Sequence, residues 1–399
     1  MSNASDDATA LSAESRRANE SPRARRLDAP IARQGLRTAD QQPRTMVGDE
    51  SQFRDTPIVE RIASALGFDA LSTALPGPRI YPPSLLLATL LVLDFGVVNT
   101  ILHVTTGPHI FVTTPTAVAS IPGLALAVLG IRYMSDGYAS AFDRLDLTER
   151  RPDGDLGAFE RAVSPRVTVT VYAVGAVLLS AHVLVNMAPF LVSTFGLPGL
   201  LHRLVIWNVY LVFVVEFALL YLSVHVVVPR RLKAADVGLF YYDPENMGGF
   251  GPLGQLLKRS YYLYTAGLLL FLVITFGPVY LNSAGATEVP PSTTAFFTVA
   301  WVVGVLSIAH SMLTVHRLMD DEKQEHIAAL EAELRDAITE PYEITTAEQA
   351  DEERLNDIER RLDKVRSTRV YPASFTMWSQ IAVSVLFPQA LQLVLQATG

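Results

Sequence analysis

The chain has 399 residues, half of them are hydrophobic, and the mean hydropathy is +0.27. A formal net charge of −8 lacks the basic excess of a nucleic-acid-binding protein. The absence of cysteine excludes disulfides and thiolate chemistry. Several apolar stretches reach the roughly 20 residues that a helix needs to cross a bilayer. The sequence therefore predicts an all-α, multi-pass integral protein of the cell membrane.

The N-terminal segment 1–55 is rich in serine, alanine, aspartate and arginine and has no apolar stretch. Such a composition buries too little apolar surface to fold, so a disordered cytoplasmic tail is predicted. The next segment, 56–75, has helical apolar spacing and little net charge. It either lies along the membrane surface as an interfacial helix or packs on the inner end of the bundle.

Seven apolar stretches have the length of membrane-spanning helices: 84–105, 116–134, 167–192, 204–228, 261–282, 294–316 and 371–395. The loops 132–166 and 229–260 carry many arginines and lysines, whereas the alternate loops carry none beyond Arg203. Because basic loops stay on the cytoplasmic side, this asymmetry predicts an N-terminus inside the cell. Seven crossings then place the C-terminus outside.

Polar side chains inside the predicted spans are functional candidates, because they are costly in lipid. Asp94 and Glu216 lie near the middle of the first and fourth spans. The candidates for a ligand pocket open to the outside are Asp94, Asn99, His103, His182, Asn186, Asn208 and Glu216. The same residues could instead form a buried polar network, or a proton relay continued inward by His225 and His310.

The loop "YYDPENMGGFGPLGQLLKRSYY", 241–262, is predicted to be a structural turn, because its glycines permit positive φ angles. It does not match the P-loop motif, since no Gly-Lys-Ser/Thr follows and no strand precedes it. The alternative is a small-ligand or regulatory site in this loop, where Asp243, Glu245 and Asn246 could hold a cation.

The six-helix bundle predicted at 56–316 is followed by a highly charged segment, 317–369. Two arms, about 313–339 and 345–369, have apolar residues at 3-4-3 spacing and read as a cytoplasmic helical hairpin. These apolar residues, called the seam residues below, are Ile327, Leu330, Leu334, Leu355, Ile358, Leu362 and Val365. They either join subunits as an assembly stalk or close the hairpin on itself.

The last segment, 370–399, contains an unusually polar span. At about 100° per residue, one stripe of its helix carries Ala382, Val385, Gln389, Gln392 and Gln396. The stripe predicts either a water-lined pore face, with an apolar constriction at Val385, or hydrogen bonds to neighbouring helices.

This order of elements resembles the superfamily of seven-transmembrane ion channels to which the insect odorant and gustatory receptors belong. In that family the later helices extend into the cytoplasm as an anchor domain. The last helix lines the central pore of a tetramer. The resemblance implies a homotetramer here, with a pore from the seventh helices and a ligand site in the outer part of helices one to four.

No metalloprotease, serine hydrolase or intramembrane protease motif occurs in the chain, so an enzyme is not expected, and neither a cofactor nor a metal is implied. We expect a ligand-gated, weakly selective cation channel that contacts the bilayer, other copies of itself and a small-molecule ligand of unknown identity. The alternatives are a proton-coupled secondary transporter that uses Asp94 and Glu216, and a membrane sensor that signals through the hairpin.

Overall fold

The computed structural model describes residues 53–106, 115–150, 157, 159–280, 291–338, 341–342 and 352–371, with Leu386, Ala390, Leu393 and Val394. These residues are helical or lie in connections, and no β-strand occurs among them. Within the described ranges, six helices are long and apolar enough to span a membrane: Pro82–Thr105, Val118–Arg144, Pro165–Ser193, Phe195–Ala235, Gly251–Gly277 and Thr294–Asp336. The prediction of a helical membrane protein is confirmed to that extent.

Two short helices, α1 (Ile58–Ala65) and α2 (Phe68–Ala74), precede the first candidate span. The others are α3 (Pro82–Thr105), α4 (Pro115–Arg144), the single turn α5 (Leu147–Arg150), α6 (Pro165–Ser193), α7 (Phe195–Ala235), α8 (Gly251–Tyr280), α9 (Pro291–Asp336) and α10 (Glu352–Ser367). Gly196 has φ 68° and ψ 179°, and this non-helical conformation marks the break between α6 and α7.

Two of the predicted segments lie outside the described residues. They are the first 52 residues of the tail, and the seventh span apart from isolated positions. The stripe residues Ala382, Val385, Gln389, Gln392 and Gln396 belong to that span and fall outside as well. Seven crossings and the sides on which the termini lie stay predictions.

Helix α4 lies at the centre of the described bundle and contacts α3, α7 and α8. Its glycines allow close approach, because a Cβ on Gly130 would lie 2.6 Å from Cε2 of Phe217 and one on Gly137 would lie 3.1 Å from Cδ1 of Leu256. Helix α6, by contrast, exposes a run of valines along its length, including Val169, Val174 and Val177. An apolar surface of this kind is suited to lipid rather than to water.

The end of the bundle from which the hairpin projects is called the hairpin end. There α4 ends at Arg144, α8 begins at Gly251, and α9 leaves the bundle. Helices α1 and α2 pack on α3 near the start of that span. Val59 and Ala63 of α1 are fully buried while Leu66, Leu71 and Leu75 stay exposed. Helix α1 therefore packs on the bundle, and the apolar surface lies on α2 and its flanking residues.

Helix α9 is continuous over 46 residues. At 1.5 Å per residue it is about 69 Å long, more than twice the thickness of the hydrocarbon core. The sixth span therefore continues as a rod, as the sequence predicts. Helix α10 packs against this rod and forms the second arm, and the start predicted near 345 lies outside the described residues.

The hairpin is held by a narrow apolar seam flanked by ion pairs. Ile358 is fully buried between the arms, together with Leu355 and Ala337. Arg361 Nη2 lies 3.0 Å from Glu333 Oε2 and Arg366 Nη2 lies 2.9 Å from Glu331 Oε1. Exposed pairs of this kind contribute at most about 1 kcal/mol each, so the seam supplies most of the stability.

Three of the helices contain π-helical turns, at Val92–Val98, Val183–Met187 and Ser223–Val227. Such turns insert one extra residue, offset the flanking helical faces and often occur at functional sites. Two of them contain a buried ionisable residue, Asp94 and His225. Asp94 and His225 are therefore candidates for functional residues of the bundle.

Candidate functional site

The best-connected polar group in the bundle is Asp94, which lies in the π-turn of α3 and is 4% exposed. Asn99 Nδ2 donates to Asp94 Oδ1 over 2.9 Å, and the Tyr210 hydroxyl donates to Oδ2 over 3.0 Å. His202 Nε2 lies 2.8 Å from Oδ1 without the alignment of a hydrogen bond, so it contributes mainly as an ion-pair partner when it is protonated. We call Asp94, Asn99, His202 and Tyr210 the polar cluster.

The polar cluster forms because two helices bring spaced polar residues together. His202 and Tyr210 are eight residues apart on α7, so they lie on one face of that helix. The π-turn lets Asn99 donate both to the main-chain oxygen and to the side chain of Asp94. The sequence predicts Asp94 and Asn99 but misses His202, because the loop assigned to 193–203 is part of α7. The detectable signal is the spacing of His202 and Arg203 from Tyr210.

The other predicted pocket residues are distributed over several places. His182 Nδ1 and Asn186 Nδ2 are 3.2 Å apart on the exposed side of α6. Asn208 donates to Ser180 Oγ over 3.0 Å and thereby joins α7 to α6. His103 lies one turn beyond Asn99 on α3 and is exposed. A ligand pocket formed from all of them stays a prediction.

Glu216 makes contacts that the sequence does not predict, and its part in a ligand pocket stays a prediction. It is 5% exposed on α7, and its Oε2 accepts a hydrogen bond from the Val59 main-chain N–H over 2.8 Å. Its Oε1 accepts from the Ile58 N–H. The first amides of a helix have no partner within it, and Pro57 at the N-cap provides no side-chain bond. Glu216 therefore acts as the cap of α1 from a distant part of the chain.

His225 is fully buried in the π-turn of α7, between α7 and α8. Nδ1 lies 3.0 Å from the Tyr221 carbonyl oxygen, and Nε2 lies 3.2 Å from that of Leu257. A neutral imidazole donates through only one nitrogen, so one of these contacts is not a hydrogen bond in the neutral ring. The Tyr221 hydroxyl, within 2.7 Å of Ser307 Oγ, extends the contacts to α9.

These ionisable groups do not form a continuous proton path among the described residues. Along α7, His202 and Glu216 are 14 residues apart and Glu216 and His225 are nine apart, which corresponds to about 21 Å and about 14 Å. Direct transfer needs hydrogen-bond distances. The buried-network alternative accounts better for the contacts that each group makes.

A second candidate site is an open cleft of about 860 Å³ at the hairpin end, called the hairpin-end cleft. Its walls are the last turns of α4, the turn α5, the loop 238–249 and the first turns of α8. Arg144, Arg150 and Arg259 line it, as do Asp146, Glu149, Asp243 and Glu245. The cleft is therefore polar and contains both signs of charge.

The loop in the cleft wall folds around Asp243. The carboxylate accepts main-chain N–H bonds from Glu245 over 3.0 Å, Met247 over 3.0 Å and Gly249 over 2.9 Å. Burial by itself would raise the pKa of Asp243, but these three donors and the Arg150 guanidinium outweigh it and lower the pKa. Gly249 is required because its φ is 77° and a Cβ would lie 2.0 Å from Arg150 Nη2.

The opposite face of this loop contacts the hairpin. The Asn246 carbonyl accepts from the Arg369 N–H over 2.8 Å, and Asn246 Oδ1 accepts from Lys364 Nζ over 3.3 Å. Tyr241 packs against the seam residues Leu330, Leu362 and Val365. The structural turn predicted at 241–262 is thus also the joint between the bundle and the hairpin.

The seam residues contact one another within one chain. Leu330, Leu362 and Val365 form one cluster with Ile327, and Leu355 and Ile358 form another with Leu334. Of the two alternatives left open by the sequence, the contacts are those of a hairpin closed on itself. An assembly role for these residues stays a prediction.

No group of three or more histidine, aspartate or glutamate side chains that could hold a metal ion occurs in the part of the chain that the structure describes. No family model, curated protein or solved structure matches the chain. The layout shared with the receptor-related channels therefore remains a resemblance, and function has to be argued from the contacts above.

Proposed function

We propose that the chain is one subunit of a ligand-gated, weakly selective cation channel whose pore is lined by the seventh apolar segment. The observation that carries the proposal is the path of the chain after the bundle. Helix α9 leaves the bundle without a break, and α10 returns along it toward the membrane. Tyr371, at the end of the described return, stacks on His316 of α9, which supports entry into the seventh apolar segment beside α9, as in the channels that the chain resembles.

The return of the chain is fixed by contacts at the base of the hairpin. His316 Nδ1 lies 2.8 Å from the Val370 carbonyl oxygen, and its ring stacks on Tyr371 at a centroid distance of 4.0 Å. Lys323 Nζ donates to the carbonyl oxygens of Arg366 over 2.6 Å and Thr368 over 2.7 Å. A firmly held entry to the seventh segment is what a pore helix needs if the hairpin is to control it.

The polar cluster supports the gating part of the proposal. It joins α3 to α7 through a buried carboxylate, so any ligand or proton that disturbs Asp94 changes the contact between two helices. Buried charges that lose a partner are strongly destabilised. The cluster is therefore the proposed element through which an event in the bundle shifts its helices.

Cation flux into liposomes that contain the purified full chain tests the channel. Val385→Ser should raise resting flux, because a polar side chain wets an apolar constriction. Gln389→Lys should depress cation flux, because a ring of like charges repels permeating cations. Ser384→Ala is the matched control, since Ser384 points about 120° away from the centre of the stripe. Three indistinguishable fluxes would refute the pore.

A proton-coupled transporter is the second candidate, and the contact between Asp94 and His202 favours it. A carboxylate attracts a protonated imidazole 2.8 Å away, so a substrate that separates the two groups would favour release of the proton. In the same liposomes an inward proton gradient should then drive uptake of the transported substrate. Asp94→Asn should abolish the dependence of this uptake on the proton gradient. A channel would show flux that follows the membrane potential and persists without the proton gradient.

A further inference from the structure

The hairpin-end cleft is large enough to hold a small molecule, and the described side chains leave it open. Its volume of about 860 Å³ falls in the range of about 300–1,000 Å³ typical of ligand pockets. It follows the groove between α4 and α8, from the loop 238–249 to the pair formed by Tyr133 and Arg259. Tyr133 and Arg144 are 11 residues apart on α4, or about 17 Å.

The arginines of the cleft are unequally engaged. Arg150 donates through Nη1 to the Gly238 carbonyl over 3.2 Å and lies over the ring of Phe250, so it holds the wall together. Arg259 donates one hydrogen bond to the Tyr133 hydroxyl over 2.7 Å, and the other N–H donors of its guanidinium group can bind a ligand. Arg144 is exposed and makes no hydrogen bond or ion pair with the described residues. Two guanidinium groups, one at each end of the groove, are available to a ligand.

The carboxylates of the cleft are also unequally engaged. Asp243 is saturated by main-chain donors, as described above. Asp146, Glu149 and Glu245 are exposed. A ligand that is only anionic would be repelled by these three groups, and a simple cation would be repelled by the arginines. A ligand that carries an anion for the guanidinium groups and hydrogen-bond donors, such as hydroxyls, for the carboxylates complements both sets.

We propose that the hairpin-end cleft binds a phosphate ester that also carries free hydroxyl groups, and that its occupancy is transmitted to the hairpin through the loop 238–249. Arginine presents a fork of N–H donors that matches phosphate oxygens. Carboxylates accept the hydroxyl hydrogens of a polyol. The proposal does not depend on whether the chain is a channel or a transporter.

The phosphate ester could be the headgroup of a membrane lipid or a soluble molecule, and the position of the cleft is relevant to both. Tyr133 and Arg259 lie in helices of spanning length near the ends that reach the cleft. Tyrosine and arginine are enriched at the level of lipid headgroups, and basic pockets between membrane helices can bind such headgroups. A phosphoglycerol or phosphoinositol lipid would enter from the bilayer, whereas a free phosphate ester would enter from the water.

The transmission to the hairpin follows from the two faces of the loop. One face lines the cleft through Leu239, Phe240 and Asp243. The other holds the hairpin through Tyr241 and Asn246. A ligand that orders the first face reduces the freedom of the second, which stabilises the hairpin against opening.

The test measures binding to the full chain in nanodiscs of a zwitterionic lipid. The probes are short-chain phosphatidylglycerol, short-chain phosphatidylethanol, which lacks the glycerol hydroxyls, and glycerol 1-phosphate. Phosphatidylglycerol should bind at least about tenfold more tightly than phosphatidylethanol. Arg144→Gln should weaken binding about tenfold, the effect of losing one charged hydrogen bond to the phosphate, and Arg259→Gln, at the other end of the groove, should weaken it less. Arg360→Gln, an exposed arginine of α10 paired with Asp357, is the matched control.

Glycerol 1-phosphate separates the two sources. Binding as tight as that of phosphatidylglycerol assigns the site to a soluble ester, and much weaker binding assigns it to a lipid. Equal affinities for phosphatidylglycerol and phosphatidylethanol would overturn the role of the carboxylates. Affinities unchanged by both arginine substitutions would overturn the site itself.

The coupling has its own readout. Because the chain has no cysteine, Ile358→Cys places a single thiol in the fully buried seam. Bound phosphatidylglycerol should slow its reaction with a maleimide several-fold, and Arg144→Gln should remove that protection. If the labelling rate were the same with and without bound ligand, the proposed transmission from the cleft to the hairpin would be overturned.

Discussion

Replacement of Glu216 by glutamine should release α1 from the bundle. The carboxylate accepts main-chain N–H bonds from Ile58 and Val59, which have no partner within α1. Bonds to a charged group contribute about 1.5–3 kcal/mol each. Glutamine keeps one acceptor and turns an NH2 donor toward the other amide, so about one such bond is lost. We expect docking of α1 to weaken by about 1.5–3 kcal/mol.

Thiol labelling measures this loss directly. Ala63 of α1 is fully buried against the bundle, and Ala63→Cys would introduce the only thiol of the chain. Because every 1.4 kcal/mol corresponds to a factor of ten, Glu216→Gln should accelerate labelling of this introduced thiol by about 10- to 100-fold. Glu216→Ala, which removes both acceptors, should accelerate it at least as much.

Glu60→Gln is the matched control on α1. Glu60 lies in the first turn but makes none of the bonds to the α1 amides, and a first-turn carboxylate contributes only about 0.3–1 kcal/mol. Labelling should change by no more than about fivefold. If Glu216→Gln and Glu60→Gln behaved alike, the distant capping of α1 by α7 would be refuted.

Three further outcomes are expected. The lowered pKa of Asp243 means that its stabilisation is present above the ordinary value of 3.8 and is lost as pH falls through the lower folded value. The protection factors of the loop amides against hydrogen exchange should therefore fall in acid, and in Asp243→Asn they should be low at every pH. Gly304→Ala should destabilise the bundle by about 1–3 kcal/mol in denaturant titrations, because its Cβ would lie 2.5 Å from Cε1 of Tyr264, whereas Gly267→Ala meets nothing closer than 3.9 Å and should be neutral. Ile358→Ala should cost about 2–5 kcal/mol in the hairpin and expose it to proteolysis; hairpins that resist protease equally would mean that the seam is not what holds the arms.

The sequence alone predicted the features that depend on local spacing. Runs of apolar residues of bilayer length predicted six helices that the described part of the chain contains. Main-chain polar groups in lipid need hydrogen-bond partners, and a helix supplies all of them within one segment. The 3-4-3 spacing of residues such as Leu330 and Ile358 predicted the two arms of the hairpin, since that spacing puts them on one helical face. Whether the arms meet each other or another chain was left open, because one seam satisfies either arrangement.

Tertiary structure alone decided which polar groups meet. Glu216 and Asp94 have the same appearance in the sequence, a single acid in an apolar run, yet one caps α1 and the other binds Tyr210 on α7. His202 belongs to the polar cluster because α7 begins at Phe195, before the apolar stretch that the sequence predicts from 204 onward. The hairpin-end cleft combines residues from four segments, and its loop contacts the hairpin more than a hundred positions later in the chain. Helical periodicity specifies the face of a helix that is polar, but the partner of that face is set by the rotation and offset of packed helices, to which the π-turns contribute.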